Sequence, residues 1–149
     1  MAPWPPLIND ITTDFERPPR FWAAPPAHPA YDAARFRRAT EAGYPGLANL
    51  GLAVSPEEAW RAVLALVGER GWRIAAQDDA GRRVQAVAVT RLLRFRDDVV
   101  IEVRPGSRAG SASVAMRSKS RLGRGDLGAN ATRIRAFFAD LRRAVGEGP

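Results

Sequence analysis

The chain has 149 residues, 46% hydrophobic and 26% charged, which suits one domain around a single core and leaves little room for two. It has no cysteine and one histidine, His28, which excludes disulfides, thiol nucleophiles, Cys-ligated metal centres and any multi-His metal site within one chain. The net charge of +7 is concentrated over residues 91–124, where Arg91, Arg94, Arg96, Arg104, Arg108, Arg117, Lys119, Arg121 and Arg124 face only Asp97, Asp98 and Glu102.

Residues 1–46 carry nine of the twelve prolines and seven of the twelve aromatics: Trp4, Phe15, Phe21, Trp22, Tyr31, Phe36 and Tyr44. Proline at this density opposes regular helix and sheet. Aromatics at this density oppose disorder. The segment therefore reads as an extended arm docked on the rest of the chain, with a short helix near residues 32–42. From residue 47 the pattern becomes regular. Leu50, Leu52 and Val54 alternate as a short strand. Ser55-Pro56-Glu57-Glu58 starts a helix, with Ser55 as N-cap and Glu58 closing a capping box. That helix runs to about residue 70, buries Ala59, Val63, Leu66 and Val67, and stops at Gly71.

Four strands follow: one around Trp72, Ile74 and Ala76, then residues 82–93, 98–104 and 111–120. Short connections make neighbouring strands antiparallel. A loop over residues 123–128 leads, with Asp126 as N-cap, into a last helix over residues 127–145, where Ala131, Ile134, Phe138, Leu141 and Val145 recur at helical spacing. The order β-α-β-β-β-β-α predicts an α+β domain over residues 47–149: an antiparallel sheet of four to five strands with two helices on one face. Val87, Val89, Val100 and Ala115 make the other face partly apolar, and the arm of residues 1–46 is its natural cover.

The meander brings several distant points to one end of the sheet. Arg91, Asp97, Asp98, Ser118, Ser120, Arg121, Asp126, Asn130 and Arg133 should gather there, with Arg94, Arg96 and Arg124 nearby. Guanidinium groups grip carboxylate or phosphate bidentately, and a helix N-terminus adds oriented amides, so the cluster reads as an anion site. Arg91, Arg121 and Arg133 would hold the charge. Asp97, Asp98 and Asp126 would orient them, and Asn130 would add amide hydrogen bonds. The same residues also admit a purely structural reading, in which the three aspartates pair with Arg121 and Arg133 and pin the loop to the sheet. An enzymatic alternative is hydrolysis with Asp97, Asp98 or Asp126 as base, which needs a carboxylate of raised pKa in a cleft.

Gly123-Arg124-Gly125-Asp126-Leu127-Gly128 has dinucleotide-loop spacing but follows an antiparallel strand, which rejects that reading. His28 sits in a proline run and reads as an arm residue without chemistry. Phe95 alone interleaves aromatic character with the basic segment, which argues against nucleic acid.

Ile8-Asn9-Asp10-Ile11-Thr12-Thr13-Asp14, Pro18-Pro19-x-Phe21, Tyr44-Pro45, Phe95-Arg96-Asp97-Asp98-Val99-Val100 and Arg117-Ser118-x-Ser120-Arg121-x-Gly123-x-x-Asp126-x-Gly128-x-Asn130-x-x-Arg133-Ile134 together resemble the bacterial and plastid family known as domain of unknown function 1499. The resemblance spans about residues 8–141. It implies that residues 9–14 belong to the domain and marks the same polar cluster; it implies no activity. The element order also resembles helix-grip ligand-binding folds, an analogy of fold alone. The expectation is therefore a soluble, cytoplasmic, non-enzymatic binding domain without cofactor. Its partner is a small anionic or amphipathic ligand, or an acidic protein, at the Arg-rich end. No stretch is long and apolar enough to span a membrane, and peripheral membrane contact stays open.

Overall fold

The computed structural model describes residues 6–23, 27–91 and 93–147. Trp4, Pro25, Pro26 and Leu92, on which parts of the arm and strand expectations fall, lie outside the described residues. The elements are β1 (Asp10–Thr12), α1 (Ala33–Gly43), β2 (Leu50–Leu52), α2 (Pro56–Glu69), β3 (Arg73–Asp78), β4 (Arg83–Val89), β5 (Arg96–Pro105), β6 (Ala112–Ser120) and α3 (Ala129–Ala144). They form an α+β fold with one six-stranded antiparallel sheet, ordered β1-β6-β5-β4-β3, with β2 also on β6.

The strand missing from the sequence reading is β1. It comes from the proline-rich arm and lies end to end with β2 along one edge of β6: Asp10–Thr12 pair with residues 117–119, and Leu50–Leu52 with residues 112–114. Three residues between turns are too few for periodicity to register. The caps explain where the helices begin. Ser55 Oγ accepts from Glu58 N at 3.1 Å, as its position before Pro56 demands. At α3 the cap is Gly128 rather than Asp126. Asp126 acts from two residues further back: Oδ1 accepts from Gly128 N at 2.8 Å and Oδ2 from Asn130 N at 3.2 Å.

Strand alternation divides the sheet into two dissimilar faces. Val84, Ala86, Ala88, Val99, Ile101, Val103, Val114 and Met116 point into the main core, with Val63 and Val67 of α2 and Ile134, Phe137 and Leu141 of α3. The residues between them point the other way, and there the arm is held by polar clamps. Gln85 Oε1 accepts from Trp22 N at 3.0 Å and Ala23 N at 3.1 Å, and its Nε2 donates to Ala23 O at 3.0 Å. Arg104 pairs with Asp14 at 2.8 Å and donates to Arg17 O at 2.9 Å. Arg117, fully buried, makes a two-point pair with Asp10 (2.9 and 2.7 Å) and donates to Pro19 O at 3.2 Å and Pro29 O at 3.0 Å. Phe21 and Tyr31 pack against its guanidinium at 4.8 and 5.7 Å from their ring centres. A proline-rich segment has few amide donors, so its free carbonyls are natural partners for a five-donor guanidinium. No helix among the described residues is long and apolar enough to cross a membrane.

Candidate ligand-binding site

The end of the sheet where β4, β5 and β6 finish gathers most of the candidate residues, but the sheet separates them. Asp97 and Asp98 are neighbours on β5, so their carboxylates leave opposite faces. This corrects the expectation of one shared corner: there are two polar clusters, back to back.

On the arm face, Asp98 accepts two hydrogen bonds from Arg121, Nε and Nη2 each at 2.9 Å, and His28 Nε2 lies 2.7 Å from its Oδ2. His28 rests on Phe21, with ring centres 4.9 Å apart. His28, read from sequence as inert, is thus a fastener between arm and sheet. Burial alone would push the Asp98 carboxyl up; the His28 and Arg121 hydrogen bonds and the Arg121 charge outweigh it and hold the carboxyl below 3.8. A depressed folded-state pKa contributes stability that is present above the unfolded value and lost as pH falls through the folded one. Asp98→Asn is therefore expected to lower the urea midpoint at neutral pH, with the gap to wild type closing as pH drops below about 4. Unfolding curves between neutrality and acid check this; a gap constant with pH would contradict it.

On the helix face, Asn130 joins strand, helix and loop. Fully buried, it accepts from Ser118 Oγ at 2.6 Å and donates through Nδ2 to Ser120 Oγ at 2.9 Å and Asp126 Oδ2 at 2.8 Å. Arg133 Nη1 donates to Asn130 Oδ1 at 2.9 Å and Ser118 Oγ at 3.0 Å. Arg133 Nη2 is 2.8 Å from Asp97 Oδ2, a close ionic contact whose N–H is poorly aimed. That oxygen therefore lacks a well-formed hydrogen bond among the described residues. Burial pushes the Asp97 carboxyl above 3.8 despite the opposing Arg133 charge and the polar contacts of Arg133 and Ser120, and the nearby Asp126 charge adds to the rise.

Asp97, Ser120 and Asp126 line a cavity of about 310 Å³ whose remaining walls are Thr90, Leu93, Phe95, Leu122, Gly123, Gly125, Leu127 and Ala129. Its size suits a small ligand or one chain of a larger one. Two turns shape the walls. Thr90 Oγ1 accepts from Phe95 N at 2.8 Å and Arg94 takes a left-handed backbone, closing the turn after β4. Leu127 (φ +53°) and Gly128 (φ +82°) take left-handed conformations in succession, which for Leu127 costs about 1 kcal/mol. The result keeps a leucine outside the fold at the cavity mouth.

Of the nine candidate residues, Asp97, Ser118, Ser120, Asp126, Asn130 and Arg133 lie together behind and beneath this cavity; Asp98 and Arg121 lie on the opposite face, and Arg91 is exposed on the turn after β4. The guanidiniums do not converge: Arg121 faces Asp98 and Arg133 faces Asp97. Of the three aspartates, Asp126 contacts backbone and Asn130 instead of arginine. Sequence reasoning missed the apolar walls. The sequence reading places Leu93 at the end of a strand and Leu127 at the start of the last helix, whereas β4 ends at Val89 and α3 begins at Ala129; only Phe95 and Leu122 stand outside any expected element, in an arginine- and glycine-rich context. Among the described residues, no group of three or more His, Cys, Asp or Glu side chains is placed to hold a metal ion.

Fold and site together define an α+β domain with an apolar cavity between the sheet end and the start of its last helix. The chain belongs to the family described as protein of unknown function DUF1499, which matches over residues 10–141. No curated protein matches it. Among solved structures it is similar to the di-domain ARO/CYC BexL from the BE-7585A biosynthetic pathway, at 17% identity and a TM-score of 0.48, over 65% of this chain and 44% of that one. It is also similar to an uncharacterised protein from Bacillus thuringiensis, at 12% identity and a TM-score of 0.35, over 65% of this chain and 92% of that one. The chain thus spans less than half the length of the BexL chain.

Proposed function

We propose that this domain binds a small amphipathic ligand without transforming it. The apolar body enters the cavity walled by Leu93, Phe95, Leu122 and Leu127, and the anionic end meets Arg94 and Arg96, which line the adjoining groove with Phe95 and Leu122. The observation that carries this reading is the cavity itself: walls that are mostly apolar, with Asp97, Ser120 and Asp126 as the placed polar groups among them. Apolar walls with a few placed polar groups are how small-molecule sites combine affinity with orientation. The Asp97 carboxyl, raised by burial, is a partner for a hydroxyl or amide on the ligand body.

Ala129→Phe places a ring in the cavity from the first turn of α3. The expected result is at least about a tenfold loss of uptake of N-phenyl-1-naphthylamine, an apolar fluorophore, with an unchanged melting temperature. Equal fluorescence enhancement by wild type and Ala129→Phe would count against the cavity as the site.

The raised carboxyl also favours a second reading, hydrolysis with Asp97 as general acid or base. Asp97→Asn separates the two. The binding reading expects fluorophore uptake to persist and ester substrates to stay intact with wild type. The hydrolytic reading expects wild-type turnover that the variant loses.

A further inference from the structure

The cavity mouth carries an unusual surface. Leu93, Phe95, Leu122 and Leu127 are 60, 48, 72 and 82% exposed, and all four line the same cavity. Leu7 is also exposed and lies against the same loop, its Cδ2 within 3.2 Å of where a Gly125 side chain would begin. Single exposed apolar residues need no explanation, but a cluster at one tip does. Arg94 and Arg96 line the adjoining groove with Phe95 and Leu122, and Arg91 and Arg124 stand two residues from Leu93 and Leu122; all four are exposed and form no ion pair among the described residues. Of the nearby carboxylates, Asp97 is buried against Arg133, Asp98 against Arg121 and His28, and Asp126 is tied to Asn130 and the start of α3, which leaves the four arginines in excess.

Apolar side chains projecting from two turns, with uncompensated arginines on the same turns, match the depth profile of an anionic bilayer surface. The leucines and the phenylalanine reach the acyl boundary while the guanidiniums stay among the headgroup phosphates. An acidic protein would satisfy the arginines, but the four apolar side chains surround an open cavity and offer it no continuous apolar patch to pack against, whereas lipid chains conform to such a surface. We infer that this end of the molecule docks on anionic membranes, with the cavity mouth facing the lipid. The inference rests on the amphipathic-ligand reading above and deepens it: the ligand is a lipid-like molecule taken from or delivered to the bilayer, without crossing water.

The test is cosedimentation of the full chain with vesicles of phosphatidylcholine alone and of phosphatidylcholine mixed with phosphatidylglycerol. The expected result is partitioning at least about tenfold stronger onto the anionic vesicles, weakened by raising salt from about 0.1 M to about 1 M. The combined variant Arg91→Glu/Arg94→Glu/Arg124→Glu should lose that preference with an unchanged melting temperature, because these side chains are solvated in the fold. The chain has no cysteine, so Leu122→Cys accepts a single environment-sensitive label. Its emission should shift to the blue on anionic vesicles and be quenched by brominated acyl chains. Equal partitioning onto both vesicles, none onto either, or a label that stays in water overturns the proposal. So does binding to polyglutamate as strong as to the anionic vesicles, which identifies an acidic macromolecule instead. Fluorophore uptake measured without vesicles keeps the two readings apart: docking without uptake removes the ligand reading alone, and uptake without docking removes the membrane alone.

Discussion

Replacing Arg117 by methionine is expected to cost about 3–5 kcal/mol, the largest effect of any single polar substitution in this fold. The methionine preserves much of the volume but takes from the almost fully buried Asp10 carboxylate its two-point partner, leaving Lys119 Nζ at 4.0 Å as a distant substitute. It also removes the donors to Pro19 O and Pro29 O, two arm carbonyls that no neighbouring strand can satisfy. The damage should be directional: β1 and the arm leave the sheet first, while α2, α3 and the rest of the core persist. Limited trypsin digestion of the variant should then cut after Arg20, whose bond to Phe21 is not protected by a following proline as that of Arg17 is, well before the core is attacked. Adding Asp10→Leu should return part of the loss by removing the stranded charge. The recovery should be incomplete, because the two proline carbonyls remain without donors. Full recovery in the double variant would show that the carbonyl contacts contribute nothing.

Asn130→Ala is the second large effect, about 3 kcal/mol, because Asn130 is fully buried and its loss strands the groups around it. Ser118, Ser120, Asp126 and Arg133 all hydrogen bond to this one amide. The loss should also reach the cavity, because Asp126, which lines it, is held by Asn130 Nδ2 and by the backbone at the start of α3. Fluorophore uptake should fall together with the urea midpoint. Asn130→Asp is the sharper comparison. It is nearly isosteric but replaces a donor with a charge facing Asp126, so it should be at least as destabilising at neutral pH and should improve as pH falls. A midpoint for Asn130→Asp equal to wild type at neutral pH would contradict this network.

Much of the frame was legible because it rests on local chemistry. Ser55-Pro56 fixed the start of α2, alternation marked β4 to β6, and short turns forced antiparallel pairing. The strand β1 was not legible from pattern: its Ile11 enters the core from a three-residue strand amid prolines, and its partner Arg117 is 107 residues from Asp10 in sequence. Chain topology pointed to the end of the sheet where the cavity lies. The two-fold alternation of a strand, already implicit in the adjacency of Asp97 and Asp98, decides which residues share a face there. Charge drew attention to the arginines, yet Arg121 is used to clasp the arm and Arg133 to face Asp97. The cavity is made by apolar residues in turns, whose role is visible only when two loops distant in sequence close around the same space.

Occupancy of that space is most directly read by titrating the isotope-labelled protein with a short-chain lysophosphatidylglycerol below its micelle concentration and following backbone amide shifts. Saturable shifts confined to Thr90, Phe95, Ser120, Leu122, Gly123, Gly125 and Leu127 are predicted, with Trp22 and His28 on the arm face unmoved. Shifts centred on the arm face, or spread along the whole surface without saturation, would contradict a ligand site at the start of α3.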